Sequence, residues 1–199
     1  EKTSKYDVII MDLPDPVTEE LARLYTVEFF STALSALRQD TGGVLVTHGG
    51  DIFAKRASFW CLVETLRAAT TGNTNSKETL TVAEDHHIAT YSALVPSFGM
   101  WGFALACTGT LFDDATPVPE GNPMQQRDDD SVGRLAGLLQ SLQLPLECRF
   151  LSRQTIRAMF DLPPDLLQTK ISTTPQINLD AHPILHTILQ NENIWAPRQ

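Results

Sequence analysis

Basic charge is scarce in this chain. Lys and Arg total 15 against 24 Asp and Glu, a formal net charge of −9 over 199 residues. A nucleic-acid partner normally requires a basic face, so that class is excluded. The acidity suits a cationic ligand, although most acidic proteins are simply soluble. Cysteine is sparse too. Cys61, Cys107 and Cys148 are odd in number, far apart and form no C-x-x-C pair, which fits reduced thiols in a cytosolic compartment. No apolar run approaches the ~18 residues that a membrane-spanning helix needs. Glu1-Lys2-Thr3-Ser4-Lys5 lacks the apolar core of a signal peptide, and the chain opens on Glu, not Met, so it reads as a piece of something longer. Internal repeats and low-complexity tracts are absent. A glycine-rich nucleoside loop is also missing: Gly42-Gly43 precedes a strand, and Gly49-Gly50 has no third glycine at the right spacing.

The informative stretch is Tyr6-Asp7-Val8-Ile9-Ile10-Met11-Asp12-Leu13-Pro14-Asp15-Pro16. Four consecutive apolar residues, Val8 to Met11, predict a parallel strand covered on both faces. Pro14 and Pro16 cannot continue a ladder, so the strand stops at about Asp12. Ligands of open α/β sheets bind beyond the carboxyl ends of strands, where Asp12 and Asp15 would project. Both have plainer readings, Asp12 as a turn former and Asp15 as a helix cap.

Leu21, Leu24, Tyr25, Phe30, Ala33, Leu34 and Leu37 recur at helical spacing, with Asp15 or Thr18 as cap and Glu19 and Glu20 on the positive end of the dipole. Val44 to Thr47 predicts a second strand ending at His48-Gly49-Gly50-Asp51, and 52–69 a second amphipathic helix. Strand, helix, strand, helix is the pattern of parallel βαβ construction. Residues 70–85 read as a polar loop. Strands are expected at 88–95 and 102–108, joined by a segment too short for a helical crossover and therefore antiparallel. Residues 112–131 read as a long mobile loop, and 132–142 and 153–160 as helices. The order predicts an α/β protein: the second half of a methyltransferase-type Rossmann sheet, parallel strands with an antiparallel edge pair, plus a C-terminal helical segment. Residues 1–111 form that half, 112–131 the loop and 132–199 the helical extension.

Other chemistry-bearing residues have plainer readings. His182 and His186 are four apart, but Pro183 and the lack of a third ligand favour a surface pair, and no metal site is expected. Asp85-His86-His87 sits at a loop end, and Asp128-Asp129-Asp130 reads as a solvated cap. Ser58 and Ser97 have no evident base. Trp101 and Phe103 suit the core, or a platform beside a cleft.

The chain resembles the polyamine aminopropyltransferase (spermidine synthase) family. The resemblance rests on Tyr6 to Pro16, on Gly42-Gly43-Val44-Leu45, and on Pro96-Ser97-Phe98-Gly99-Met100-Trp101-Gly102-Phe103, with a similar tail around Leu162-Pro163-Pro164-Asp165-Leu166. It looks most like the bacterial branch with transmembrane helices ahead of the synthase domain. The resemblance implies aminopropyl transfer from decarboxylated S-adenosylmethionine to a polyamine such as putrescine. Asp12 would be the catalytic base, and Asp15, His48 and Phe98 the substrate-binding residues. Phe98 stands where the family usually has tyrosine, and His48 where it usually has glutamine, so the acceptor need not be putrescine. Residues binding the nucleoside co-substrate are expected upstream of Glu1, and this chain alone should bind no cofactor and be inactive. The resemblance further implies a cytoplasmic domain, with room for a homodimer and an upstream membrane segment. Two rivals share the fold: an S-adenosylmethionine-dependent methyltransferase, and a non-catalytic polyamine-binding or structural member.

Overall fold

Four strands form the single sheet seen in the computed structural model, which describes residues 6–39, 42–72, 88–108, 151–172 and 176–192. The loop expected at 112–131, the helix at 132–142, Asp85 to His87, Asp128 to Asp130 and Cys148 lie outside the described residues.

Strand β1 (Val8–Met11) leads through the Asp12–Val17 segment to a short helix α1 (Glu19–Ala22), a 3-10 turn (Arg23–Tyr25) and helix α2 (Val27–Ala36). The sequence predicts one helix here, but two caps divide it. Thr18 Oγ1 accepts from Leu21 N, and Thr26 Oγ1 accepts from Phe29 N, each starting its own helix. Thr18, not Asp15, is the first cap, which leaves the Asp15 carboxylate uncommitted to that task.

Strand β2 (Val44–Asp51) runs four residues beyond the expected Thr47, through both glycines. It absorbs a bulge between His48 and Gly50, where Gly50 adopts φ +83°. Helix α3 (Arg56–Thr71) follows and ends on Gly72 at φ +69°. Strands β3 (Ile88–Val95) and β4 (Gly99–Cys107) form a hairpin, tighter than predicted because Gly99 takes φ +91° and lets β4 start early. The order is β1-β2-β4-β3, with β1 parallel to β2 and the β3–β4 pair antiparallel at the edge. That is the predicted fold class. Helices α4 (Arg153–Phe160), α5 (Pro164–Ser172) and α6 (Leu185–Asn191) complete the described chain.

Helices α2 and α3 cover one face. Tyr25, Phe30, Leu37, Leu45, Ile52, Phe59, Val63 and Leu66 are fully buried there. A Cβ at Gly102 would collide with Ile52 and lie 2.6 Å from Phe59, and one at Gly49 would also lie 2.6 Å from Phe59. The other face is covered by α4 at the β3–β4 edge, where Tyr91 stacks on Phe103 at 4.8 Å and meets Phe160 at 5.4 Å. At the β1 edge it is open. Val8 is 55% and Ile10 75% exposed, while Met11 is buried. The expectation of a strand covered on both faces is therefore corrected. Strand residues alternate sides, and among the described residues only the Ile9/Met11 side has a helical cover.

The C-terminal segment is bound into this body by Asn178, which is fully buried. Its amide donates to the carbonyls of Ala22 and Tyr25 at 2.8 and 3.0 Å, and its Oδ1 accepts from Ile184 N and Leu185 N. All its side-chain hydrogen-bonding capacity is used, as a buried amide requires. Trp60 Nε1 donates to the Leu166 carbonyl, and Arg56 pairs with Asp165 at 2.5 Å, tying α5 to α3.

Candidate active site

The carboxyl ends of β1 and β2 open onto a cleft of about 470 Å³, walled by the start of α3, by Trp101 of β4 and by Leu185, Leu189 and Gln190 of α6. The strand-end position is the one that open α/β sheets use for ligands.

The Asp12–Asp15 segment is held by its backbone. The Tyr25 hydroxyl lies 3.1 Å from the carbonyls of both Leu13 and Pro14 and shares its one proton between them. His48 Nε2 lies 2.7 Å from the Leu13 carbonyl. A carbonyl only accepts, so Nε2 carries the imidazole hydrogen. Trp101 Nε1 donates to Nδ1 at 3.4 Å, so both ring nitrogens are engaged within the protein. Burial pushes the Tyr25 phenol well above its usual range, and the nearby carboxylates of Asp15 and Asp12 push it further, so it remains a donor.

The four residues predicted from sequence fall into three settings. Asp15 and His48 line the cleft together. Asp12 is not part of the lining: its side chain is 96% exposed, with its Oδ1 3.9 Å from His48 Nε2. Phe98 is at the hairpin tip, largely exposed, with its ring 5.2 Å from Trp101. It does not line the cleft.

Tyr25, Asp51, Lys55 and Gln190 also line or shape this cleft, and sequence reasoning missed them. Tyr25 falls within the helical apolar pattern, and Asp51 at the end of the predicted second strand. A tyrosine on an apolar stripe just after a D-x-x-D-P segment is the signal that was available, because its hydroxyl must find a partner when buried. Glu192 caps α3, accepting from Ala57 N, Ser58 N and the Ser58 hydroxyl. Ser58 is thus a capping partner and not a nucleophile waiting for a base.

His182 and His186 do not share a helix: His182 pairs with Leu179 in an isolated bridge before α6 begins. They border a separate hollow of about 440 Å³ with Glu19, whose lining includes neither Asp12 nor Asp15. Cys61 and Cys107 are buried, and burial raises the Cys61 thiol to about 12, which makes it inert.

Comparison with known proteins bears on the fold and the lineage. The family model described as Spermine/spermidine synthase domain matches residues 1–108. The polyamine aminopropyltransferase of Mycobacterium tuberculosis is 34% identical over 114 residues, covering 57% of this chain and 18% of that protein. Polyamine aminopropyltransferase 2 of Ralstonia nicotianae is 32% identical over 157 residues, covering 78% of this chain and 27% of its own. The chain thus spans about a fifth to a quarter of the relatives it matches. Among solved structures, spermidine synthase from Thermotoga maritima superposes with a TM-score of 0.52 at 19% identity, over 85% of this chain and 44% of that one. A spermidine synthase in complex with the transition-state analogue AdoDATO gives a TM-score of 0.50 at 17% identity, over 85% and 43%. The structural likenesses establish the fold, and the match across residues 1–108 establishes the lineage: the chain belongs to the spermine/spermidine synthase family.

Proposed function

We propose that the complete protein carrying this chain transfers an aminopropyl group from decarboxylated S-adenosylmethionine to a polyamine such as putrescine. Asp12 is the base in this reading, Asp15 the anchor for a second ammonium, and the nucleoside is held by residues upstream of Glu1. One observation carries it. Two carboxylates stand on a single strand-end segment, and its carbonyls are clamped by Tyr25 and His48 beside an acidic cleft.

The chemistry explains the arrangement. A protonated amine has no lone pair with which to attack. Asp12 accepts its proton, the nitrogen then bonds to the propyl carbon next to the sulfonium, and that carbon–sulfur bond breaks with its electrons on sulfur. General-base help of this kind contributes roughly 10²–10⁴-fold. Asp15 fixes the far ammonium and so aligns the near one. His48 contributes by holding the Leu13 carbonyl, since neither of its ring nitrogens is spare for the amine. Phe98 stands at the hairpin tip outside the cleft, its ring 5.2 Å from Trp101, and takes no part in this step.

Asp12→Asn in the complete protein tests the reading. The expected kcat falls by roughly 10²–10⁴, partly relieved at high pH where more amine arrives neutral, with nucleoside affinity nearly unchanged. A kcat within about threefold of wild type from pH 7 to 10 would make Asp12 a turn residue and end the assignment. Asp15→Asn should instead raise KM for a diamine, and do so less for a monoamine.

A further inference from the structure

Helices α3 and α6 each lack the partner that one of their ends requires. The first turn of α3 holds no acidic residue, and its N-cap is Lys55, which cannot accept a hydrogen bond and adds charge to an end that is already positive. The last turn of α6 holds no basic residue for its unpaired carbonyls. Each helix receives what it lacks from the other. Glu192, the residue after α6, accepts from Ala57 N, Ser58 N and the Ser58 hydroxyl at the start of α3. Lys55 in return donates to the carbonyls of Leu189 and Glu192 at 3.0 and 3.3 Å.

The other end of α6 is held by Asn178, whose Oδ1 accepts from Ile184 N and Leu185 N while its amide is fixed to the Ala22 and Tyr25 carbonyls. Asn178 is fully buried, whereas Lys55 and Glu192 are half-buried. Water competes for the Lys55–Glu192 contacts and not for those of Asn178, so α6 is weaker at its C-terminal end. With seven residues it is well short of the ~12–15 that an isolated helix needs, and it keeps its shape only while docked. Between its ends it presents Leu185, Leu189 and Gln190 to the cleft. Gln190 reaches across: its Nε2 donates to the Val17 carbonyl at 3.0 Å, and Val17 N donates to the Asp15 carbonyl at 2.7 Å. The docked helix therefore bears on the backbone that carries Asp15.

We propose that α6 is a latched strap over the cleft. Asn178 is its pivot, Lys55 and Glu192 are its latch, and Gln190 is a positioning residue that holds the Asp15–Val17 backbone only while the latch is shut. The positioning role rests on the acceptor reading above, but the latch is read by hydrogen exchange, which needs neither amine nor turnover. In the complete protein, Glu192→Gln keeps the size, removes the charge and sets an amide donor against the donors of α3. Exchange at amides 187–191 should rise about tenfold or more, with 44–47 of β2 and 61–68 of α3 unchanged. Lys55→Met, which attacks the latch from α3, should raise the same amides about threefold or more. Exchange at 187–191 within twofold of wild type in either variant reduces the pair to ordinary helix caps and overturns the latch. An equal rise in β2 means that α6 opens only with the whole domain, and overturns it as well. Gln190→Leu should leave the denaturation midpoint unchanged yet lower kcat about fivefold, with little change in KM for the nucleoside. An unchanged kcat there removes the positioning role. If wild type transfers no aminopropyl group, the acceptor reading and the positioning role fall together, while the exchange results still decide the latch.

Discussion

Under α2 and α3 the sheet is closed so tightly that Gly49 and Gly102 have no room for a side chain. On the opposite face, at the β1 edge, Val8 and Ile10 stand 55% and 75% exposed. The two settings meet within one strand, since Ile10 is open to water and its neighbour Met11 is 7% exposed. Both residues are apolar, so strand composition does not separate the faces. What separates them is which partners arrive. The Ile9/Met11 side meets two helices, while among the described residues the Val8/Ile10 side is covered by α4 only at the far, β3–β4 edge.

The comparison is broken most directly from the closed side. Phe59 is fully buried beneath both close-approach glycines, so Phe59→Ala should cost about 3–5 kcal/mol, read as a loss of denaturation midpoint. A loss below about 1 kcal/mol would show that the closed face relaxes and is not the rigid one. Tyr25 tests the boundary between the core and the site. Tyr25→Phe keeps the ring and removes the hydroxyl that faces the Leu13 and Pro14 carbonyls, for an expected loss of about 1–2 kcal/mol.

That variant also has a pH signature. The Tyr25 phenol is raised in the folded protein above its ordinary value of 10.0, mainly by burial. Its stabilising contribution is therefore whole below pH 10 and declines as pH rises above it, because the unfolded chain ionises first. Tyr91, also raised by burial, adds to the same decline. Stability should fall less steeply above pH 10 in Tyr25→Phe than in wild type, and equal slopes would deny the Tyr25 contribution. The smallest effect is expected on the open face. Ile10→Thr should change stability by less than about 0.5 kcal/mol while reducing self-association in sedimentation, because it takes an apolar group off an exposed sheet edge. A cost as large as that of a core residue would mean the face is buried after all.

Much of this fold was legible in the sequence. Apolar runs located all four strands, and the shortness of the β3–β4 link correctly required an antiparallel pair. The glycines misled. Gly49-Gly50 reads as a stop in isolation, yet β2 continues through it, because Gly49 lets Phe59 approach and Gly50 turns the bulge. The division between α1 and α2 was hidden because the apolar spacing runs unbroken across the 3-10 turn, while Thr18 and Thr26 start separate helices. Of the site, the strand-end carboxylates could be read from local pattern. The wall supplied by α6 could not, since it depends on contacts between distant segments.

Asn178 joins residues about 150 positions apart, bonding the Ala22 and Tyr25 carbonyls at separations of 156 and 153. This carries a consequence for biosynthesis. Residues 6–72 can pair β1 with β2 and lay α2 and α3 against them while the ribosome is still adding the rest. The pocket, however, has no α6 wall until residues 185–190 have emerged and Asn178 has docked behind Tyr25. Contacts of such long sequence separation form late. The carboxylate pair is therefore built early in synthesis and stands in an open groove until almost the last of the described chain has been made.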